Sequence, residues 1–304
     1  MDEDVMAEKI QSTYADVNGI RLHYLCSGKG KLVMFVHGFP EFSGEWEEQL
    51  EEFGKTHEAV APDMRGYNLS SKPDKVKDYK VEYIIEDLRA LAEHLGHKKF
   101  IMVAHDWGGA VAWSFAISMP QYLEKLIIIN APHPAVFARE LLENPLQQQA
   151  SEYMLAFRSP EAEKFLSKNN YAYLMAALAS DDYSRWEMPG EKKKKYMEAW
   201  SQPGALTGGL NYYRVSPLYP PKSEEDKERL KSVLDLPKEM FKIKVPTLVI
   251  WGELDHALLP GNLNGLEEYV EELTVKRISD ATHWVVHEQP ALVNSTIREF
   301  IEYS

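Results

Sequence analysis

Five short apolar runs constrain this chain more than any other feature: KLVMFVHG (31–38), EAVAPDMRG (58–66), FIMVAHD (100–106), LEKLIIINAP (123–132) and VPTLVIWGELD (245–255). Each is rich in β-branched or large apolar side chains and closes on Gly, Pro, Asn or Asp, the pattern of a strand buried on both faces. Helical spacing fills the gap before the third run, where Ile84, Ile85, Leu88, Leu91, Ala92 and Leu95 recur three or four apart and Gly96 can end the helix. Strands alternating with helices predict an α/β fold with a mostly parallel central sheet flanked by helices. Ahead of these runs, YADVNGIRLHYL reads as two alternating strands joined at Asn18-Gly19, a favoured hairpin turn. TVKRISDATHW supplies a last strand, and ALVNSTIREFIEY a closing helix.

The rhythm stops after Pro132 and returns near Lys244. The intervening residues are helix-like and rich in Tyr, Lys and Glu, so the organisation expected is a core (1–132), a helical cap inserted after the sixth strand (133–243) and the rest of the core (244–304). Within the cap, EKKKKYMEAW and KSEEDKERLKSVL read as solvated helical faces or mobile connections.

A formal net charge of -13 argues against a nucleic-acid partner, because phosphate binding needs a basic face. MDEDVMAEKIQSTY has no apolar signal core, and no later stretch is long and apolar enough to span a bilayer, so a cytoplasmic protein without a membrane partner is expected. The single cysteine, Cys26, excludes an internal disulfide and any cysteine-built metal site, and its place in RLHYLCSG is that of a strand residue.

Asp106 ends the apolar run FIMVAHD, and WGGAVAW follows at once as the start of a helix. In open α/β sheets, ligands gather at the carboxyl ends of strands. Small residues at Ala104, Gly108 and Gly109 surround an aspartate there, which matches a nucleophile elbow, where strand and helix come too close for larger side chains. The competing explanation is an aspartate that merely caps the helix beginning at Trp107.

The remainder of the constellation favours the elbow. Nucleophile, acid and histidine must follow in that order, and Asp255 and His283 do so, each just beyond an apolar strand. His287 lies further on, inside a helix. Glu253 sits nearer the strand than Asp255, and Asn130 cannot be an ionised partner. In FVHGFPE the backbone N–H of Phe39, with that of Trp107, is a candidate oxyanion hole.

An aspartate nucleophile changes the chemistry. A carboxylate is ionised at neutral pH and needs no base for its first attack. On an acyl carbon it would give an anhydride, whereas on a saturated carbon bearing a leaving group it gives an ester. His283, oriented by Asp255, would then activate the water that hydrolyses this ester, with no metal or cofactor. Two leaving groups fit, halide or the oxygen of an epoxide, and the latter calls for an acidic O–H such as tyrosine. The cap holds Tyr153, Tyr171, Tyr173, Tyr183, Tyr196, Tyr212, Tyr213 and Tyr219, among which composition does not choose.

HGFPEFSGEW, DMRGYNLSSKP, VAHDWGGAVAW, NAPHP, WGELDHAL and HWVVHEQP together resemble the soluble epoxide hydrolases of the α/β-hydrolase fold, along nearly the whole chain. ASEYMLAF and SQPGALTGGLNYYR carry the likeness into the cap. The resemblance implies that a small-molecule epoxide and water give a vicinal diol, with Asp106 as nucleophile, His283 as base and Asp255 orienting it. It further implies that Tyr153 and Tyr213 hydrogen-bond the epoxide oxygen and that the Phe39-Pro40 bond is cis. Phe39, Trp107, Met154, Phe157 and Tyr212 are expected to form an apolar wall. Where the family often has Asn after the arginine of NYYR, this chain has Val215-Ser216-Pro217.

Haloalkane dehalogenases share HDWGG but usually place Asn where Phe39 stands, and the fluoroacetate type usually has Arg in place of Trp107. A family member turned binding protein typically loses the nucleophile or base, whereas Asp106, Asp255 and His283 are all present.

Overall fold

The computed structural model describes residues 9–179 and 186–303, so Tyr183 and the first eight residues lie outside the described chain. Eight strands form one sheet: β1 (Gln11–Val17), β2 (Ile20–Ser27), β3 (Leu32–Val36), β4 (Glu58–Pro62), β5 (Phe100–His105), β6 (Leu123–Ile129), β7 (Thr247–Gly252) and β8 (Leu273–Ile278). Their order is β1-β2-β4-β3-β5-β6-β7-β8, antiparallel at β1/β2 and β2/β4 and parallel from β4 onward. Asn18 and Gly19, at φ 47° and 74°, make the expected hairpin turn.

Side-chain alternation divides the core in two. Val33, Phe35, Ile101, Val103, Ile127, Ile129, Leu248 and Ile250 face α1 (Glu47–Phe53) and the closing helix, in a cluster with Leu50, Phe53, Val293 and Ile297. Met34, Val36, Met102, Ala104, Leu126, Ile128 and Val249 point the other way, toward α2 (Val81–His94) and α3 (Trp107–Ser118). The central strands β3, β5 and β7 are buried along their whole length, and β6 everywhere but at Glu124 and Lys125, as parallel strands covered on both faces must be.

Between β6 and β7 the described residues contain helices and no strand: α4 (Pro134–Glu143), α5 (Pro145–Ala150), α6 (Tyr153–Arg158), α7 (Ala162–Leu166), α8 (Lys168–Leu178), α9 (Gly190–Ser201), α10 (Ala205–Val215) and α11 (Glu224–Leu234). Left-handed backbone at Asn169, Asn170 and Tyr171 interrupts α8 near its start. After β8 come α12 (Val285–Glu288) and α13 (Pro290–Tyr303).

The lysine-rich α9 is more than a solvated face. Tyr196 and Trp200 on it are buried, Trp200 Nε1 donates to the Pro40 carbonyl at 2.6 Å, and the Tyr196 hydroxyl donates to Glu41. Helix α10 is held just as closely, because a Cβ on Gly208 would lie 2.2 Å from the Gly66 carbonyl oxygen. Tyr212 on the same helix donates to the Arg65 carbonyl at 3.0 Å, and the Arg65 guanidinium is itself anchored by Asp87 at 2.5 Å.

Candidate active site

The strand order reverses around β3, so the loops leaving β3 and β5 lie side by side at the carboxyl edge of the sheet. Asp106 follows β5 directly, at φ 50° and ψ −122°, a strained conformation that marks it as held in place by its surroundings. Its side chain does not cap α3, which removes the simple structural explanation for an aspartate here. Instead, Asp106 Oδ1 accepts from the Phe39 amide at 2.7 Å. Trp107 opens α3, so its N–H is one of the first-turn amides without an intrahelical partner. The Phe39-Pro40 bond is cis, as the resemblance implies.

Glycine makes this approach possible. A Cβ on Gly38 would lie 2.3 Å from both Cβ and Oδ1 of Asp106, and one on Gly108 would lie 2.2 Å from the Val36 carbonyl oxygen.

His283, in the loop after β8, places Nε2 3.4 Å from Asp106 Oδ2 and Nδ1 2.7 Å from Asp255 Oδ2. Asp255 is almost wholly buried and held on both oxygens: Oδ1 accepts from the amides of Ala257 and Leu258 at 2.8 Å, and Oδ2 from Asn130 Nδ2 at 2.8 Å. Asn130 also takes the Gly252 amide on its own oxygen at 2.8 Å. It is no acid, yet it fixes the acid. The rival candidates are engaged elsewhere, Glu253 with Arg277 at 2.7 Å and His287 with Glu41 at 2.8 Å.

From the other side, α6 and α10 bring Tyr153 and Tyr213 over Asp106, with ring centroids 6.2 Å apart. The Tyr153 phenol interacts with that of Tyr213, which in turn interacts with the Trp107 side chain. Of the other described tyrosines between β6 and β7, Tyr171 packs on Trp200, Tyr196 on Phe42, and Tyr219 lies under Arg158 and Arg229, whereas Tyr173 packs on Phe157 and Phe165 and borders the same cavity as Tyr153 and Tyr213.

The family model for the alpha/beta hydrolase fold matches residues 31–290. AB hydrolase superfamily protein YfhM of Bacillus subtilis is 35% identical over 297 residues, 96% of this chain and 98% of that protein. Epoxide hydrolase 3 of Xenopus tropicalis is 34% identical over 294 residues, 94% of this chain and 76% of its own length. The chain is an α/β hydrolase of the epoxide hydrolase family. Among solved structures, a point mutant of the Bacillus megaterium epoxide hydrolase, complexed with its product (R)-3-[1]naphthyloxy-propane-1,2-diol, superposes with a TM-score of 0.87. It is 37% identical, over 95% of this chain and 99% of that one.

In this hydrolase two cavities meet at Asp106 and Tyr153. The larger, about 480 Å³, is bordered by Trp107, Met154 and Tyr212 together with Val215, Pro217 and Leu218. The smaller, about 310 Å³, is bordered by Phe39, Phe157, Tyr213 and His283. The five expected wall residues thus divide between two lobes. Tyr212 also has a second task, since its hydroxyl is spent on Arg65.

Electrostatics set the resting protonation states. Burial pushes the Asp106 pKa up, but the hydrogen bond and charge of His283 and the Phe39 amide outweigh it and hold the group below the usual aspartate value. Burial pulls His283 down, yet the charge of Asp255 and the hydrogen bonds to Asp106 and Asp255 raise it well above an ordinary histidine. Burial raises both Tyr153 and Tyr213, so both phenols carry their protons at neutral pH.

Proposed function

We propose that the hydrolase converts epoxides to vicinal diols through an ester on Asp106. An Asp106 carboxylate oxygen attacks a ring carbon, the C–O bond of the epoxide breaks, and the alkoxide takes a proton from Tyr153 or Tyr213. His283 Nε2 then removes a proton from water, whose oxygen attacks Cγ of the ester. The oxyanion lies against the Phe39 and Trp107 amides, and its collapse releases the diol oxygen, which takes the proton from His283. Asp106 is regenerated as a carboxylate holding one oxygen of the water, and the second proton of that water restores the tyrosine phenol.

The observation that carries this reading is the convergence of two phenols and a His283–Asp255 pair on one strained carboxylate. Residues 133–243 would act as the cap over a core formed by 1–132 and 244–304. Two lobes meeting at the nucleophile favour epoxides with alkyl or aryl substituents, in keeping with the aryloxy diol bound by the Bacillus megaterium relative.

The test is intact-protein mass spectrometry of His283→Gln, incubated separately with styrene oxide and with 1-bromobutane. A mass gain equal to the whole epoxide, on the peptide carrying Asp106, is expected. A butyl adduct with bromide release and no epoxide adduct would replace this reading with a dehalogenase.

A further inference from the structure

Among the buried pairs that the reaction above leaves unused, one lies beside Asp106. His105 ends β5 beside the nucleophile, Glu45 lies in the 3-10 turn Ser43–Trp46, and both are excluded from solvent. His105 Nδ1 is 2.6 Å from Glu45 Oε1, and His105 Nε2 is 2.9 Å from the backbone carbonyl oxygen of His283. The two imidazoles also lie against each other, with centroids 4.7 Å apart.

Counting protons narrows the states of this pair. A carbonyl oxygen only accepts, so His105 Nε2 carries a hydrogen. One more proton sits between Nδ1 and Oε1, either on nitrogen, giving an imidazolium and a carboxylate, or on oxygen, giving two neutral groups. The second oxygen of the same carboxyl decides between them. Glu45 Oε2 is buried and has no hydrogen-bond partner among the described residues. A carboxylate would leave negative charge on an oxygen without a donor in a dry interior, whereas a protonated carboxyl leaves only a neutral C=O unmet. The charges of Glu41 and Asp106 press the same way, against those of Lys192 and His283. Burial foremost raises Glu45 well above the usual glutamate value and lowers His105 to about 4, and each displacement favours the neutral pair.

We propose that Glu45 is a positioning residue for ester hydrolysis: its protonated carboxyl donates to His105 Nδ1 and fixes the tautomer whose Nε2–H holds the His283 carbonyl. The base is then anchored twice, through its ring by Asp255 and through its backbone by His105. This rests on the two-step reaction proposed above. A shift of about 1 Å in such a group costs on the order of 100-fold in rate.

Rapid-quench mass spectrometry with styrene oxide follows ester formation and breakdown separately in wild type, Glu45→Gln and Glu45→Leu. A glutamine amide donates to Nδ1 as a neutral carboxyl does, so Glu45→Gln should keep both rates within about threefold of wild type. Leucine cannot donate, and should slow breakdown by about 10- to 100-fold while formation changes by less than about threefold. Breakdown as slow in Glu45→Gln as in Glu45→Leu, or normal in Glu45→Leu, overturns the proposal. Absence of any Asp106 ester in these proteins would instead remove the underlying reaction. Nitrogen-15 NMR of histidine-labelled wild type decides the protonation state even if the leucine variant does not fold. His105 should show a bare Nδ1 and a protonated Nε2, and a doubly protonated ring overturns the assignment.

Discussion

At the scale of single residues, the site works by making one titration depend on another. Once burial is overcome, Asp106 is held ionised chiefly by His283, and His283 is held protonated first by Asp255 and then by Asp106. Esterification makes Asp106 neutral and removes two of the contributions that raise His283, leaving Asp255 as its main support. The first step therefore turns an imidazolium into a base. Ester breakdown should rise with pH through a midpoint lower than that at which His283 titrates in the free enzyme. Single-turnover rates against an NMR titration measure both, and coincident midpoints would contradict this account. Asp106→Ala should lower steady-state turnover by about 10⁴-fold or more, since no other group here can form the ester.

At the scale of elements, close approach is what aims the reacting groups. Strand β5 and helix α3 meet the β3 loop with no room for a side chain at Gly38 or Gly108. Gly108→Ala should destabilise the fold by about 1–3 kcal/mol through overpacking against the Val36 carbonyl, read by urea unfolding. Wild-type stability in that variant would mean the elbow has slack. Helices α6 and α10 each lower one phenol toward Asp106. Changing Tyr153 and Tyr213 together to Phe should slow ester formation by about 10²- to 10⁴-fold and leave breakdown near wild type, as resolved by rapid quench. Equal loss in both steps would assign the tyrosines to something other than ring opening.

At the scale of the whole molecule, the site's charges are linked to folding. The folded pKa of His283 is raised above its unfolded value, so its contribution to stability is full below about pH 6.5 and is lost as the pH rises through the folded pKa. The melting-temperature advantage of wild type over His283→Gln should accordingly shrink as the pH is raised beyond about 6.5. A gap independent of pH would refute that linkage. Helices α9 and α10 contribute to the same balance, because they reach the core through Pro40 and Glu41 in the loop after β3 and Arg65 in the loop after β4.

Apolar periodicity and turn chemistry were enough to read the parallel sheet, its hairpin start, the break after Pro132 and the order Asp106, Asp255, His283, because these are local patterns that survive in one dimension. Family likeness added Tyr153 and Tyr213, which spacing among the cap tyrosines could not single out. Other features depended on topology. Asn130 reads as a non-acid, yet β6 and β7 are neighbours, so it meets Asp255 across 125 positions of chain. The α9 lysine run reads along the sequence as a solvated face or mobile connection, whereas the fold sets its Tyr196 and Trp200 against the core. Glu45 and His105, 60 residues apart, had no local signal at all. A buried pair is defined by what surrounds it, and only the folded arrangement of β5, the turn before α1 and the His283 loop creates those surroundings.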